Sequence, residues 1–239
     1  MKKIFIVLSC LLLSASLFAQ QPISDPNVQV REAKNFHAIH LSNAFDVFLT
    51  QGKEEKVAVS AGEEKDLAYI TVEVKNGVLE VGWDRKGKWT RGNKKLKAYI
   101  SFIKIDELFA RGACDVDITG TLTADKNFKI DLSGASDLSG KIEVKEKLSI
   151  DISGASDAKL SGMAMEMVID ASGASSFKGF DFAVDYCNAK ASGASDIKIT
   201  VNKELSANAS GASDVNYHGE GKTRDVRTSG ASSVSRSKS

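Results

Sequence analysis

The chain has 239 residues, of which 42% are hydrophobic and 26% charged, enough to bury a core in one or two domains. Its 32 basic and 31 acidic residues leave a formal net charge of +1, which excludes a global attraction to nucleic acid or to an anionic membrane. The three histidines, His37, His40 and His218, lack metal-ligand spacing, so no structural zinc site and no cofactor are predicted.

Residues 1–19 have the pattern of a secretory signal peptide. Lys2 and Lys3 precede an apolar run, 4–18, that is too short to span a bilayer as a permanent helix, and Ala19 offers a small residue for cleavage. We therefore predict export to the periplasm, the outer surface or the medium, with no transmembrane span after removal. The alternative is a lipid anchor at Cys10, although the apolar stretch before it is about half the usual length.

The segment 20–34 is polar, contains both prolines and is predicted to be a flexible leader. An N-terminal β-rich portion, 35–110, follows. It begins with a strand, a corner and a second strand over 36–51, with Asn43 at the corner because Asn tolerates a positive φ. Alternating residues predict further strands over 56–60, 69–75, 78–83 and 96–102, with a hairpin turn at Asn76-Gly77 and one helical turn over 63–67. This portion is expected to cover one end of the following repeats, either as irregular coils or as a small packed sheet.

From residue 111 to 239 the chain repeats a Ser-Gly-Ala-Ser-Asp corner, whose glycines are 18 to 22 residues apart. These glycines are Gly112, Gly134, Gly154, Gly173, Gly193, Gly211 and Gly230. Mostly apolar residues occur two and four positions before each glycine and four after it, with polar residues between them. This alternation is typical of strands with one buried face. One fixed corner in every 20 or so residues predicts an all-β solenoid whose inner columns narrow from Ile and Leu to Ala toward the C-terminus.

Each residue type of the corner has an expected role. Gly adopts a positive φ at low cost, and Ala and Ser are small enough for the inside of a corner in coils stacked about 4.8 Å apart. Asp is expected to accept hydrogen bonds from backbone N–H groups at the bend. Cys114 and Cys187 fall in different columns several coils apart, so two free, buried thiols are predicted.

The corner aspartates are candidate metal ligands, above all Asp115, Asp137 and Asp157. Stacked carboxylates supply the oxygen ligands that Ca²⁺ prefers. They also resemble the carboxylate clusters of β-helical polysaccharide lyases and hydrolases. Because the acid recurs in nearly every coil, whereas an active site needs one asymmetric group, backbone capping is favoured over calcium binding and over catalysis.

Both tryptophans of the chain fall in one basic stretch, 83–97. Aromatic faces beside cations suit sugars, anionic polysaccharides or lipid headgroups. The candidate ligand-binding residues are Trp83, Arg85, Lys86, Lys88, Trp89 and Arg91. The favoured alternative is a solvated loop whose tryptophans pack against the N-terminal end.

Several of these features together resemble the secreted bacterial GIN-domain family of auto-transporter adhesin heads. They are the signal peptide, the opening formed by Phe36, Ile39, Asp46 and Val47, the hairpin of Asn76, Gly77 and Leu79, and the serial corners. The resemblance extends from about residue 36 to 234 and implies a right-handed, single-stranded β-helix or β-solenoid. It also implies surface display and binding, and it supplies no catalytic residue.

The sequence thus predicts a non-enzymatic, exported binding or structural module that presents flat polar faces to a surface glycan or an extracellular protein. Two alternatives stay open. One is a β-helical carbohydrate-active enzyme, and the other is a scaffold that assembles by pairing its open ends.

Overall fold

The structure, a computed structural model, describes residues 25, 27–84 and 95–237. The predicted signal peptide, Cys10, both prolines and the segment 85–94 lie outside these residues. The described elements are β1 (Val28–Arg31), β2 (Ala38–Asn43), β3 (Asp46–Gln51), β4 (Lys56–Ser60), the 3-10 helix η1 (Glu64–Tyr69), β5 (Ile70–Lys75), β6 (Val78–Trp83), β7 (Lys97–Phe102), β8 (Glu107–Gly112), β9 (Asp115–Ala124), β10 (Phe128–Gly134), β11 (Asp137–Ile152), β12 (Asp157–Ala171), β13 (Ser176–Ala191), β14 (Asp196–Gly211), β15 (Asp214–His218), β16 (Lys222–Gly230) and β17 (Ser233–Arg236).

The strands form a β-solenoid of about six turns with coils of about 20 residues, which confirms the predicted fold class. Each coil has a strand that enters the Gly corner and a strand that leaves it, and both pair in parallel with their equivalents in the next coil. The long strands β11 to β14 each supply the leaving strand of one coil and the entering strand of the next. They bend between these two parts, where the pairing register shifts, as between Val144 and Lys147.

The core is built from columns of inward side chains that continue from coil to coil. One column consists of Ile130, Ile150, Ile169, Ala189, Ala207 and Val226. Its first five members are at most 4% exposed, whereas Val226 in the last coil is 42% exposed. This column therefore narrows from Ile to Ala, as the sequence predicted, before it ends in Val226, whereas a second inward column keeps large residues at Phe177 and Ile197.

The corner requires Gly for two reasons, its backbone conformation and the closeness of the next coil. The corner glycines have φ between +77° and +109°. At Gly154 a Cβ atom would lie 2.4 Å from the carbonyl oxygen of Gly134, closer than real Cβ contacts. Asn43 occupies the same position with φ +77°, as predicted.

The expected roles of the other corner residues need one correction. The alanines that follow the corner glycines are exposed and do not fill the inside of the bend. The next residue does so, and it is buried in successive coils as Ser136, Ser156, Ser175, Ser195 and Ser213. The Ser213 hydroxyl donates to Ala191 O (3.1 Å) and accepts from Ser210 N (3.1 Å). The serine column thus satisfies backbone groups that a tight bend leaves unpaired.

The first coil of the N-terminal portion lies in the interior of the stack of coils and not at its end. β2 lies between β6 and β8, and β3 lies between β7 and β9, with parallel pairing throughout. The chain therefore forms the β2–β3 coil, builds outward through β4 to β7, and returns at β8 to continue in the opposite direction. At the outer end, β5 pairs antiparallel with β6 and β4 pairs antiparallel with β7.

Part of the predicted leader is a strand. β1 pairs antiparallel with β4, so the expectation of a flexible leader does not hold for 28–31. Next to it, the Asp25 carboxylate accepts hydrogen bonds from the Tyr99 hydroxyl, Lys97 Nζ (3.0 Å) and Ser60 Oγ (3.3 Å). The Tyr99 hydroxyl and Lys97 hold the pKa of Asp25 below its usual value.

Cys114 and Cys187 are free and buried, which confirms that prediction. Burial raises the pKa of the Cys187 thiol to about 12 and also raises that of Cys114, so neither is a reactive thiolate. In the part of the chain that the structure describes, no helix has the length and hydropathy needed to cross a membrane.

Candidate functional site

The predicted aspartate column is present in the structure. Asp115, Asp137 and Asp157 are direct register partners in adjacent coils, and Asp46 extends the column on the N-terminal side. Burial, together with the negative charges of Asp137 and Asp46, raises the pKa of Asp115. The structure therefore brings four carboxylates into one outward row, with neighbours about 4.8 Å apart along the solenoid axis.

The contacts of this row favour structural roles. Asp137 Oδ1 accepts from the backbone N–H of Asp157 (3.2 Å), and Asp157 Oδ2 pairs with Lys178 Nζ (2.6 Å). Across residues 27–84 and 95–237 no group of three or more His, Cys, Asp or Glu side chains is arranged to hold a metal ion. Calcium binding by this column stays a prediction.

The second predicted site, the basic aromatic loop, falls largely outside the described residues. Of the six candidate ligand-binding residues the structure describes Trp83, which is 8% exposed within the hydrophobic core. Its ring lies 5.4 Å from that of Tyr69, and its backbone N–H donates to Asn43 Oδ1 (2.9 Å). Trp83 thus packs against the N-terminal end. Ligand binding by the rest of the set, Arg85, Lys86, Lys88, Trp89 and Arg91, stays a prediction.

Sequence reasoning missed an apolar groove on the outer surface of the repeat region. This groove is lined by 123–125, 143–145, 163–165, Ala183, Asp185 and Asn202, and we call it the methionine groove. Its volume is about 450 Å³, and Met163 and Met165 are 57% and 55% exposed in it. It crosses five coils and is therefore roughly 19 Å long at strand spacing.

The local fold explains why these methionines face outward. Met163 lies in an outward column after Thr123 and Glu143, and it alternates with the buried Ala164. Met165 follows at the bend, where the pairing register of β11 and β12 shifts. The bend breaks the alternation, so Met165 is exposed while Met167, two residues later, is fully buried.

Paired charges surround this apolar floor. Lys145 Nζ lies 2.7 Å from Asp125 Oδ1, and Lys203 Nζ lies 2.7 Å from Asp185 Oδ2. These lysines hold the pKa values of Asp125 and Asp185 below the usual range, so both carboxylates are ionised at neutral pH. Lys203 also lies 5.5 Å from the ring centroid of Tyr186, which is 44% exposed beside the groove. The site therefore combines an adaptable apolar floor with charges that already have partners.

One sequence signal could have identified this site. Three of the four methionines of the chain lie at alternate positions, 163, 165 and 167. Two of these methionines stand at outward positions that are polar in the preceding coils. A break of this kind in a repeat marks a surface on which one coil differs from the others. The sequence does not show which of the three face outward, because this depends on where the bend lies.

Comparisons with known proteins agree with the fold. A family model described as "Putative auto-transporter adhesin, head GIN domain" matches residues 35–221. A "putative adhesin" from Bacteroides fragilis superposes with a TM-score of 0.81 at 22% identity, covering 87% of this chain and 95% of that one. A "putative adhesin" from Parabacteroides merdae gives 0.70 at 19% identity, covering 88% and 95%. A "putative lipid binding protein" from Parabacteroides distasonis gives 0.66 at 18% identity, covering 90% and 98%. No curated protein matches the chain.

Proposed function

The chain belongs to the GIN-domain family, and on this premise we propose that it is an exported, non-enzymatic, adhesin-like module that binds an extracellular protein through its methionine groove. The observation that carries this proposal is the exposure of Met163 and Met165 on the floor of one groove. Unbranched thioether side chains adapt their shape to a partner, and methionines are common at protein-binding surfaces.

The charges around the groove favour a protein ligand over an anionic polysaccharide. The lysines at the groove already pair with carboxylates, among them Lys141 with Glu143 (2.7 Å). A polyanion would have to displace these carboxylates, whereas an apolar side chain of a protein needs only the methionine floor. Tyr186 and the paired charges can then form the polar rim that is common around an apolar interface centre.

Binding is tested with named probes. Immobilised collagen, fibronectin and mucin, together with a glycan array, are screened with and without calcium. We expect binding to at least one of the proteins, and we expect the double substitution Met163→Glu, Met165→Glu to weaken it at least tenfold, about 1.4 kcal/mol. Val30→Glu is the matched control, because Val30 is 74% exposed in β1, outside the groove, and should leave binding unchanged.

Other outcomes would assign the function to another surface. Calcium-dependent binding that survives the methionine substitutions would favour the aspartate column. Glycan binding that is lost with Trp89→Ala would favour the basic loop. Equal loss of binding in the groove variant and in Val30→Glu would contradict the proposal.

Export is tested separately from binding. We expect the protein recovered from outside the cytoplasm to begin at Gln20, as measured by mass spectrometry of the intact chain. A lipid-modified N-terminus at Cys10 would support the anchoring alternative instead.

A further inference from the structure

Strand β5 is an edge strand at the N-terminal end of the solenoid within the part of the chain that the structure describes. Its pairing partner among the described strands is β6, on one side. Lys75 and Val78 flank the two-residue turn Asn76-Gly77, so their backbones form a hydrogen-bonded pair. Along an antiparallel ladder, hydrogen-bonded and non-hydrogen-bonded residue pairs alternate from that point. The bond from Asp84 N to Tyr69 O (2.8 Å) fits this alternation. The backbone N–H and C=O groups of 70, 72 and 74 therefore point away from β6.

This edge lacks two of the features that prevent strand pairing, proline and a β-bulge, and its two charges, Glu73 and Lys75, pair with each other (2.5 Å). β5 contains no proline, and its register with β6 has no shift. Its two charged residues, Glu73 and Lys75, lie on the outer face, while Val72 and Val74 pack against the core. An edge of β-branched residues with unpaired backbone groups is a template for another strand.

We propose that β5 pairs antiparallel with β5 of a second copy of this chain, across a two-fold axis at Val72. This interface is independent of the methionine groove. A two-fold dimer uses the same surface patch on both copies, and the antiparallel pairing of one strand with its equivalent meets that condition. It extends the solenoid into a continuous sheet through both molecules.

The register follows from face matching and charge. Two residues that face each other across paired strands must lie on the same face of the sheet. The two-fold axis must therefore pass through a residue of β5, because an axis between two neighbouring residues would pair side chains from opposite faces. A centre at Glu73 places the two Glu73 carboxylates opposite each other, which is unfavourable. A centre at Thr71 leaves Val74 beyond the partner strand, and a centre at Val74 places Val72 opposite Asn76. Only the Val72 centre pairs Ile70 with Val74 and Val72 with itself, without a pair of like charges.

The same register gives exposed Tyr69 a partner. Tyr69, the last residue of η1, is 37% exposed, and in this pairing it lies opposite the partner's Lys75, a residue whose Nζ is bound by Glu73 (2.5 Å) and Glu80 (3.1 Å) of its own chain. The apolar stem of the lysine can lie over the tyrosine ring and add apolar contact while its ammonium group keeps its carboxylate partners.

Disulfide trapping tests the register. Thr71 and the partner's Glu73 form a non-hydrogen-bonded pair with Cα atoms about 4.5 Å apart, within reach of a disulfide. We expect the double variant Thr71→Cys, Glu73→Cys to form a covalent dimer under mild oxidation at least tenfold faster than either single variant. Fastest trapping by Glu73→Cys alone would indicate the Glu73-centred register, and equal rates in all three variants would indicate random collision. Either result overturns the proposal.

Sedimentation tests the association itself. The unsubstituted protein is expected to be a dimer that dissociates on dilution. Val72→Pro should be monomeric, because it removes an N–H that faces the free edge and leaves the β5–β6 hydrogen bonds in place. Val226→Lys, at the opposite end, is the control and should remain dimeric. A monomeric unsubstituted protein would refute the interface. If Val72→Pro fails to fold, the trapping rates decide the question alone.

Discussion

The two ends of the solenoid are closed in different ways. At the N-terminal end the core contains bulky residues, among them Leu79, Trp83 and Phe102, and antiparallel strands with η1 cover it. At the C-terminal end every residue of β16 is exposed, and its inward columns end in Thr223, Val226 and Thr228. There the Arg236 guanidinium lies 5.3 Å from the Tyr217 ring centroid and donates to Gly221 O (2.6 Å).

The two ends therefore shield the apolar core of the solenoid from solvent in different ways. A wide apolar cross-section must be covered by further strands, which in turn create a new edge at β5. An end whose last strand is already exposed and partly polar needs only a polar side chain over it. The register shift between Leu205 and Ser206, which has no counterpart between β5 and β6, also discourages pairing at that end. Self-association is therefore expected at the N-terminal end.

The largest expected effect comes from the covered core. Leu79 in β6 is fully buried, so Leu79→Ala should lower the free energy of unfolding by about 3 kcal/mol, because it leaves a cavity. Val226→Ala at the other end should cost less than about 0.5 kcal/mol, because Val226 is already 42% exposed. Urea unfolding of both variants measures the difference, and equal costs would contradict the contrast between the ends.

The corner glycines should show the same contrast with a smaller effect. At Gly112, φ is +109° and a Cβ atom would lie 2.3 Å from Asn43 O, so Gly112→Ala should cost about 2 kcal/mol. Gly230→Ala should cost about 1 kcal/mol, since φ is +77°, the contact is 2.7 Å, and among the described strands none stacks on the outer side of β16. Thermal and urea unfolding provide the comparison. A costlier Gly230 variant would show that the last coil is as rigid as the interior.

The Asp25 cluster predicts a pH-dependent contribution at the N-terminal end. Asp25→Asn should lower stability at neutral pH by about 1 kcal/mol, because Lys97, Tyr99 and Ser60 all donate to the carboxylate. The pKa of Asp25 is lowered in the folded state, so its contribution is complete above the unfolded-state value near 3.8 and is lost as the pH falls through the folded value.

Unfolding measured from pH 7 to pH 2 should therefore show the wild type and Asp25→Asn converging in acid. The control is Asp225→Asn in β16, whose pair with Arg227 (3.1 Å) is exposed and should contribute nothing measurable. A constant difference across the whole pH range would mean that Asp25 does not act through its charge.

The smallest expected effect is at Arg236. Arg236→Ala should cost about 0.5 kcal/mol, since it removes one hydrogen bond and an exposed cation–π contact from the last coil. Amide hydrogen exchange in β15 and β17 should become faster, while exchange in β6 and β7 should not change. Faster exchange throughout the molecule would mean that the C-terminal end controls global unfolding.

The sequence by itself determined the coil, the corner and the core columns. These features depend on local rules, namely the alternation of side chains along a strand and the freedom of Gly at a positive φ. The hairpin at Asn76-Gly77 and the corner at Asn43 follow from the same rules. The buried state of Cys114 and Cys187 could be predicted because both fall in inward columns of the repeat, Cys187 in line with Met167 and Leu205.

Only the tertiary structure decided the order of the coils, the ordered leader strand and the methionine groove. Placing β2 between β6 and β8 depends on pairing between distant segments, which no local pattern records. The exposure of Met165 and the burial of Met167 depend on the exact bend between them, because a shift of one residue exchanges the inner and outer faces. The corner serines cap the backbone for a related reason, since the bend turns their hydroxyls inward and leaves the alanines outside.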